Sequence, residues 1–350
     1  MPENVDVEAL ADLATPWCVR VAVTVRVAEH ISAGTTRVEQ IAARAGVDNE
    51  ALTRVLRHLV DRGVFEEPSP GEFALNEAAH ALMLPEMRAG MDLDGIGGRV
   101  AGMWSGLLTS VRTGEPGYAE VFGRSFWEDL DAHPDIAASF DALMGPQGHG
   151  APNPDILVSQ DWAGVTCVAD VGGGTGTLLA AILKARPELR GILVDLPRTV
   201  ARSADGFAEA GVTDRVTTVG QSFFDALPAG AELYLLKSVI SDWPDPAARA
   251  ILRRCADAAG PSGRVVVIGG VSPGHPDGEG DLMMMVLAGG KGRSLADFTR
   301  LAGEAGLEVV ASGRSPAGKF VVECRPAATG GGSAQNPSVR HITPSPEEQP

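Results

Sequence analysis

Basic residues are in the minority in this sequence of 350 residues, which has 29 lysines and arginines against 45 aspartates and glutamates. The formal net charge of -16 disfavours nucleic acid or an anionic membrane as the main partner, because both repel an acidic surface. No run of about 18 apolar residues occurs, so no membrane span is expected. The opening segment MPENVDVEAL is acidic and lacks a long apolar core, which predicts a soluble cytoplasmic protein without a signal peptide.

Cysteine is scarce as well. The four cysteines, at positions 18, 167, 255 and 324, lie far apart and form no CxxC pair, so the sequence offers no zinc site and we expect no metal. We expect the thiols to be small buried groups of a protein in a reducing compartment. The chain is long enough for two domains, and its hydrophobic fraction of 44% is normal for a protein with a buried core.

The N-terminal region has the pattern of a helical domain. Residues 8 to about 30 follow helical periodicity with apolar residues over most of the helix surface, which predicts a buried helix, with a second copy of the chain as one candidate to cover it. Two short helices, in TTRVEQIAARAG and DNEALTRVLRHLVDRG, then precede a hairpin, which is the order of a winged-helix domain. DNA binding and a dimerising use both remain open. DNA binding would use a basic face on the second helix, whereas dimerisation fits the net negative charge of the chain. The basic face comprises Arg54, Arg57, His58 and Arg62.

The pattern changes twice further along the chain. Residues 80 to 160 read as helices and loops, and their scattered aromatic and methionine side chains either line an apolar pocket or belong to an ordinary core. From Val165 onwards, five apolar runs predict strands that alternate with helices, and hence a mainly parallel sheet with helices on both faces. From about Ala327 the chain is rich in glycine, serine and proline, which predicts a disordered tail.

A glycine-rich string, VADVGGGTGTLLAAIL, connects the first of these strands to its helix. Gly172 and Gly174 would let the backbone pass closely beneath a ligand, and the helix N-terminus favours an anionic group. The string departs from a dinucleotide motif at Thr177, and Asp170 suits an ammonium group better than a pyrophosphate. Asp195 ends the next strand, where a carboxylate usually binds ribose hydroxyls. Together these features predict a nucleoside ligand.

Several strings together resemble one family. They are VADVGGGTGTLLAAILKARP, GILVDLP, QSFFDALPAGAELYLLKSV, SDWPD and GGKGRS, and they resemble the S-adenosylmethionine-dependent small-molecule O-methyltransferases, in particular the bacterial group that methylates aromatic polyketide acids, naphthoates and anthracyclines. The likeness covers roughly residues 8 to 325. It implies a homodimer with a winged-helix-like dimerisation domain in residues 1–105, a helical linker and pocket region in 106–160, a Rossmann-like cofactor-binding α/β domain in 161–326 and the tail in 327–350.

The resemblance also implies roles for residues at matching positions. Gly172 and Gly174 would lie against the amino-acid part of S-adenosylmethionine, and Asp195 would hold its ribose. Ser222 and Phe223 would flank the adenine, and many relatives have Asp where this chain has Ser222. The remaining positions that we assign to the cofactor are Asp170, Leu196, Lys237 and Trp243.

The segment KSVISDWPD lacks the residue on which the family's chemistry usually depends. Most members read HDW where this chain has Ser241, and that histidine is the general base for the substrate hydroxyl. A neutral serine cannot take up a proton near pH 7. The acidic residue that usually orients the histidine after the next strand is replaced by Gly269-Gly270, whereas the other acidic partner is present as Asp281. The resemblance therefore implies a changed mechanism.

Several explanations of this loss are open. The substrate hydroxyl is acidic enough to need no base, so that transfer depends on proximity and alignment; or His149 or His275 serves as the base. Alternatively, the protein keeps the cofactor and catalyses a hydroxylation or decarboxylation, or it methylates carbon or nitrogen. A winged-helix regulator that senses a small molecule is a further class, which the acidic balance disfavours. We expect O-methylation of a flat, acidic, polycyclic phenol, with substrate contacts at Trp104, Phe126, Trp127, Met144 and Met284.

Overall fold

A computed structural model of the chain describes residues 6–145, 152–274, 279–327 and 340–342. The chain forms two compact units: the first comprises residues 1–102 with 130–148, and the second comprises residues 103–129 with 149–350. Each unit has its own buried core.

The first unit consists of helices and one antiparallel hairpin. The hairpin pairs β1 (Phe65–Ser69) with β2 (Glu72–Leu75). The helix Asn49–Asp61 begins at Asp48, whose carboxylate accepts a hydrogen bond from the Ala51 amide at 2.8 Å and so satisfies a free N–H group of the first turn. Its leucines at positions 52, 56 and 59 share one face and are buried in the core of the unit. The helices of this part are Val7–Leu10, Ala14–Thr24, Val27–Ser32, Val38–Ala45, Asn49–Asp61, Glu77–Ala81, Pro85–Met91, Ile96–Met103 and Pro134–Met144.

The long N-terminal helix that the periodicity predicted is divided into three. The chain leaves the helical conformation at residues 11–13 and again at Arg26, which has a left-handed φ of 57°. Burial within the single chain is uneven along these helices. Val27 and Ile31 are buried, but Leu10 and Leu13 are each 76% exposed within the chain. Periodicity identified the helical segments and missed the breaks, because a turn of left-handed backbone leaves no mark in the apolar spacing.

The second unit is built on an eight-stranded sheet with the order β12-β10-β11-β7-β6-β3-β4-β5 in its described residues. The strands β3 to β7 all run parallel, which confirms the predicted parallel sheet, and β11 pairs antiparallel with both β7 and β10. A two-stranded sheet pairs β8 with β9. The strands are β3 Cys167–Val171, β4 Arg190–Asp195, β5 Val216–Gly220, β6 Leu233–Lys237, β7 Arg264–Ile268, β8 Val271–Ser272, β9 Arg293–Ser294, β10 Leu307–Arg314, β11 Phe320–Pro326 and β12 Arg340–Ile342.

Helices cover both faces of the large sheet. In β6, Leu233 and Leu235 belong to one core cluster, while Tyr234 and Leu236 belong to the other. This alternation explains why the strand reads as a continuous apolar run. The first cluster includes the helix Thr177–Ala185, and the second includes Asp245–Ala259 and Leu295–Glu304. The other helices of this part are Leu107–Thr113, Tyr118–Phe122, Phe126–Ala132, Pro197–Val200, Ala204–Glu209 and Glu279–Ala288.

The end of the chain departs from the predicted disordered tail at three residues. Arg340–Ile342 pairs parallel with β10 as the edge strand β12. Composition showed only that the tail cannot build a core, and an edge strand needs no core because its backbone pairs with an existing sheet. Residues 328–339 and 343–350 lie outside the described part. Among the described residues, no helix combines the length and apolar character that crossing a membrane requires.

Candidate active site

The strand order creates a crevice between two loops. From β3 the chain adds β4 and β5 on one side, whereas β6 and β7 extend the sheet on the other side. The connections that follow β3 and β6 therefore depart in opposite directions, and a ligand can enter between them at the carboxyl ends of the strands. The glycine string follows β3, and the segment Ser238–Trp243 follows β6.

The glycine string forms a tight turn that side chains would block. Gly172 has a φ of 69°, and a Cβ atom there would lie 2.8 Å from Val239 Cγ2 and 3.5 Å from Phe223 Cε1. Gly174 also has a positive φ, of 62°, but a Cβ atom there would meet nothing within 4 Å. The backbone at Gly174 therefore borders open space.

Asp195 links the glycine string to β4. Its carboxylate accepts hydrogen bonds from the Gly174 amide at 2.8 Å and the Leu196 amide at 2.7 Å. Burial raises the pKa of Asp195, and these amides with Thr199 oppose that shift because they stabilise the charged form. The structure thus brings together three residues that the sequence assigned to one site.

Asp170 lies beneath the same turn and is 1% exposed. Neither of its carboxylate oxygens has a hydrogen-bond partner among the described residues. Burial raises the pKa of Asp170 to about 7; the charge of Lys237 opposes the shift and that of Asp195 adds to it. Lys237, at the end of β6, has its own pKa lowered by burial, while the charge of Asp170 opposes this. A buried carboxylate without partners is costly, so its retention points to a ligand.

An aromatic cluster stands beside the glycine turn. Trp243 is stacked on Trp127, with ring centroids 5.7 Å apart and planes at 14°. Phe223 and Phe224 meet Trp243 edge-on, with centroids at 5.8 and 4.9 Å. Flat rings in this arrangement offer contacts to a planar ligand. Ser222 lies next to them, and its hydroxyl accepts a hydrogen bond from the Phe224 amide at 3.2 Å.

Ser241 and Asp242 form a hydrogen-bonded pair in the short 3-10 turn Ile240–Asp242 that follows β6. The hydroxyl of Ser241 donates to Asp242 Oδ1 at 3.3 Å. Burial raises the pKa of Asp242 to about 7, and the hydrogen bond from Ser241 opposes this shift. Sequence reasoning singled out Ser241 and gave Asp242 no role. The sequence did contain an indication of Asp242, because its carboxylate is adjacent to Ser241, where the resemblance implies a base.

The second glycine of the pair after β7 is packed closely against Ser241. Gly270 has a φ of 72°, and a Cβ atom there would lie 2.9 Å from Ser241 Cβ and 3.2 Å from Ser241 Oγ. Gly269 also has a positive φ, of 76°. Ser241 therefore lies directly against the Gly270 backbone, and a side chain at position 270 would require Ser241 to move.

A buried arginine, which the sequence analysis did not assign, holds the turn from below. Arg293 is 1% exposed, and its guanidinium donates to the carbonyls of Ile240 at 2.7 Å and Trp243 at 2.8 Å, and to the carboxylate of Asp245 at 3.0 Å. These bonds bracket Ser241 on both sides. The string GGKGRS contained the residue, but only the fold shows that its fork-shaped donor set fits this turn.

The other predicted residues are placed as follows. Asp281 accepts a hydrogen bond from the Gly292 amide at 2.5 Å, and Met284 is half-buried on the same helix. Phe126 is buried and packs against Trp127 with ring centroids 4.9 Å apart, so Trp127 is the more accessible of the two. Trp104 is half-buried in the second unit, Met144 is 41% exposed in the first unit, and His149 and His275 lie outside the described residues.

A glycine-rich turn with a carboxylate at the end of the next strand, both at the switch point of a parallel sheet, is typical of α/β enzymes that bind a nucleoside-type cofactor. The O-methyltransferase domain family matches residues 104–308, and the O-methyltransferase dimerisation domain matches residues 7–85. The chain therefore belongs to the O-methyltransferase family. The predicted α/β methyltransferase fold with an N-terminal helical dimerisation domain is confirmed.

Individual relatives agree with this placement. The chain is 44% identical to a 2,7-dihydroxy-5-methyl-1-naphthoate 7-O-methyltransferase of Streptomyces carzinostaticus, over 88% of this chain and 94% of that protein. It is 38% identical to an aclacinomycin 10-hydroxylase of Streptomyces purpurascens, over 85% of this chain and 82% of that protein. A solved O-methyltransferase from neocarzinostatin biosynthesis, in complex with S-adenosylmethionine and 2-hydroxy-5-methyl naphthoic acid, superposes with a TM-score of 0.86 at 42% identity and covers 93% of this chain and 99% of its own. The protein is an S-adenosylmethionine-dependent O-methyltransferase of natural-product type.

Proposed function

We propose that this enzyme methylates a hydroxyl group of a fused-ring aromatic acid of the hydroxynaphthoate type. The observation that carries the proposal is the aromatic cluster around the stacked pair Trp127–Trp243, since a wall of aromatic rings suits a flat polycyclic acceptor. One of the relatives described above is named as a naphthoate O-methyltransferase, and the solved structure described above contains a bound naphthoic acid.

The residues around the glycine turn fit S-adenosylmethionine. The open space at Gly174 admits the amino-acid part, the unpartnered carboxylate of Asp170 suits a cationic group, and Asp195 would hold the ribose. Phe223 and Ser222 would flank the adenine. The remaining contacts to the cofactor would come from Leu196, Lys237 and Trp243. When bound, the cofactor supplies an electrophilic methyl group on a sulfonium. The chain's own part is to align the acceptor oxygen and to exclude water.

The test offers isotopically methyl-labelled S-adenosylmethionine with three acceptors on the same ring system. They are a hydroxynaphthoic acid, the matching naphthol and the matching naphthoic acid without the hydroxyl. We expect label in the hydroxynaphthoic acid at the oxygen, a slower reaction with the naphthol and none with the third acceptor. Label on the carboxylate, or in none of the three, would contradict the proposal.

The relative that is a hydroxylase keeps a second candidate open. Its name describes an aclacinomycin 10-hydroxylase, and the chain has Ser241 where the resemblance implies that a base is usual in the family. A product that gains an oxygen atom and no label would favour that activity. The same mass spectra therefore separate the two candidates.

We infer that the chain works as a homodimer in the cytoplasm. Support for the dimer comes from the match to a dimerisation domain and from apolar side chains at Val7, Leu10 and Leu13 that are 72–76% exposed in the single chain. Support for a reducing compartment comes from the cysteines, which are free thiols. The winged-helix-like order of two helices and a hairpin would then serve dimerisation and not DNA binding.

A further inference from the structure

We propose that the carboxylate of Asp242, reached through the hydroxyl of Ser241, accepts the proton that the acceptor hydroxyl loses during methyl transfer. This inference rests on the proposed O-methylation and names the group that replaces the missing histidine. Ser241 would touch the acceptor, and Asp242 would act through Ser241.

The placement of the pair supports this role. Ser241 and Asp242 follow β6 at the edge of the sheet that carries the glycine turn, and the next residue is Trp243 of the aromatic cluster. The Ser241 hydroxyl already donates to Asp242 Oδ1 at 3.3 Å, so its oxygen has a lone pair free to accept from a phenol. The hydroxyl of Ser241 can therefore connect an acceptor hydroxyl to the carboxylate of Asp242.

The surroundings keep Asp242 from being neutralised by a cation. Asp242 forms no ion pair with any described residue, and the two cations that are hydrogen-bonded to Asp245 have other partners. Arg293 is bound to Ile240, Trp243 and Asp245, and Lys291 is paired with Asp245 at 3.0 Å. Asp281, on the helix Glu279–Ala288, is bound to the Gly292 amide. The Gly290 backbone packs against that of Asp242, where a Cβ atom would come within 2.8 Å of the Asp242 Cα.

The resulting proton affinity suits a general base. Burial raises the pKa of Asp242 to about 7, and a base is most effective when its pKa lies near the working pH. The step balances as follows. The acceptor oxygen forms a bond to the methyl carbon as the sulfonium–methyl bond breaks, the phenol proton passes to Ser241 Oγ, and the serine proton passes to Asp242. The products are the methyl ether, a neutral thioether and a protonated carboxyl, which later releases its proton to solvent.

The experiment measures kcat/KM against pH for the wild type, Asp242→Asn and Ser241→Ala with two hydroxynaphthoic acids whose hydroxyl groups differ clearly in acidity. For the wild type we expect a rise through about pH 7 with either acceptor, because Asp242 must be ionised. Both variants should lose this limb, and should fall about 100-fold with the less acidic acceptor. The double variant should lose no more than either single variant, since the two residues act in one chain. Asp257→Asn, on an exposed face of the helix Asp245–Ala259, is the matched control and should behave as the wild type.

Calorimetric titration with S-adenosylmethionine checks that each variant still folds and binds the cofactor. A wild-type limb that moves with the acidity of the acceptor would overturn the inference, because the substrate would then supply its own anion while the methyltransferase function stands. Retention of the limb in Asp242→Asn would overturn it too. A wild type that transfers no methyl group to either acceptor would count against both the inference and the proposed function.

Discussion

At the scale of single residues, Asp170 carries a buried carboxyl whose charged form is unfavourable in the folded protein. Its carboxyl is buried without hydrogen-bond partners among the described residues, and burial raises its pKa from 3.8 to about 7. Between these two pH values the folded state holds a proton that the unfolded state has lost. The free energy of unfolding therefore falls as the pH rises through this interval, and it levels off above about pH 7.

We predict that Asp170→Asn stabilises the cofactor-free protein at pH 8, by on the order of 2 kcal/mol, because the amide removes a buried charge. The gain should shrink at pH 5, where the carboxyl is already protonated in the folded state. Affinity for S-adenosylmethionine should fall at the same time, which calorimetric titration would show. Thermal denaturation at the two pH values measures the stability, and an equal effect at both would contradict the assigned pKa.

At the scale of elements, the short turn after β6 is held by an element distant in sequence. Arg293, at the start of β9, bonds the carbonyls on both sides of Ser241, and Asp245 fixes its orientation. The turn has little regular hydrogen bonding of its own, and the preceding Ser238 has a left-handed φ of 55°. Its geometry therefore depends in part on this buried side chain, together with the close packing of Gly270 and Gly290.

We predict that Arg293→Lys lowers kcat by about 10- to 100-fold, because a lysine cannot make the same set of bonds and a small shift of the turn misaligns the reaction. The affinity for S-adenosylmethionine should change little, since the glycine turn after β3 does not contact Arg293. Steady-state kinetics and cofactor titration separate the two effects. Arg253→Lys, on an exposed helix face where the arginine donates to the Glu304 carbonyl, is the matched control; a comparable loss in that variant would show a non-specific effect.

At the scale of the whole molecule, the exposed apolar side chains of the first residues need a cover. Leu10 and Leu13 are each 76% exposed, and Trp17 is 46% exposed. A single chain that left this surface in water would tend to associate. The dimerisation family that matches residues 7–85 includes this segment.

We predict that Leu13→Asp weakens the homodimer at least tenfold, which is about 1.4 kcal/mol, because a charge would replace an apolar contact. Sedimentation at a series of concentrations measures the dissociation constant. Glu66→Lys, which also changes charge at an exposed position of this unit, should leave the constant unchanged. A wild type that sediments as a monomer at all concentrations would show that the apolar surface has another use.

The sequence by itself determined the elements and the ligand class. Apolar runs located the strands β3 to β7, and the glycine string with Asp195 predicted a nucleoside ligand, because local backbone requirements and strand ends depend on adjacent residues. Family resemblance identified the missing histidine at Ser241. Only the tertiary structure decided the surroundings of Ser241 and Asp242. The Gly270 backbone packs against Ser241. Arg293, about 50 residues away in sequence, donates hydrogen bonds to the turn. Burial raises the pKa of Asp242. Burial and long-range packing create these properties, and neither leaves a periodic pattern along the chain.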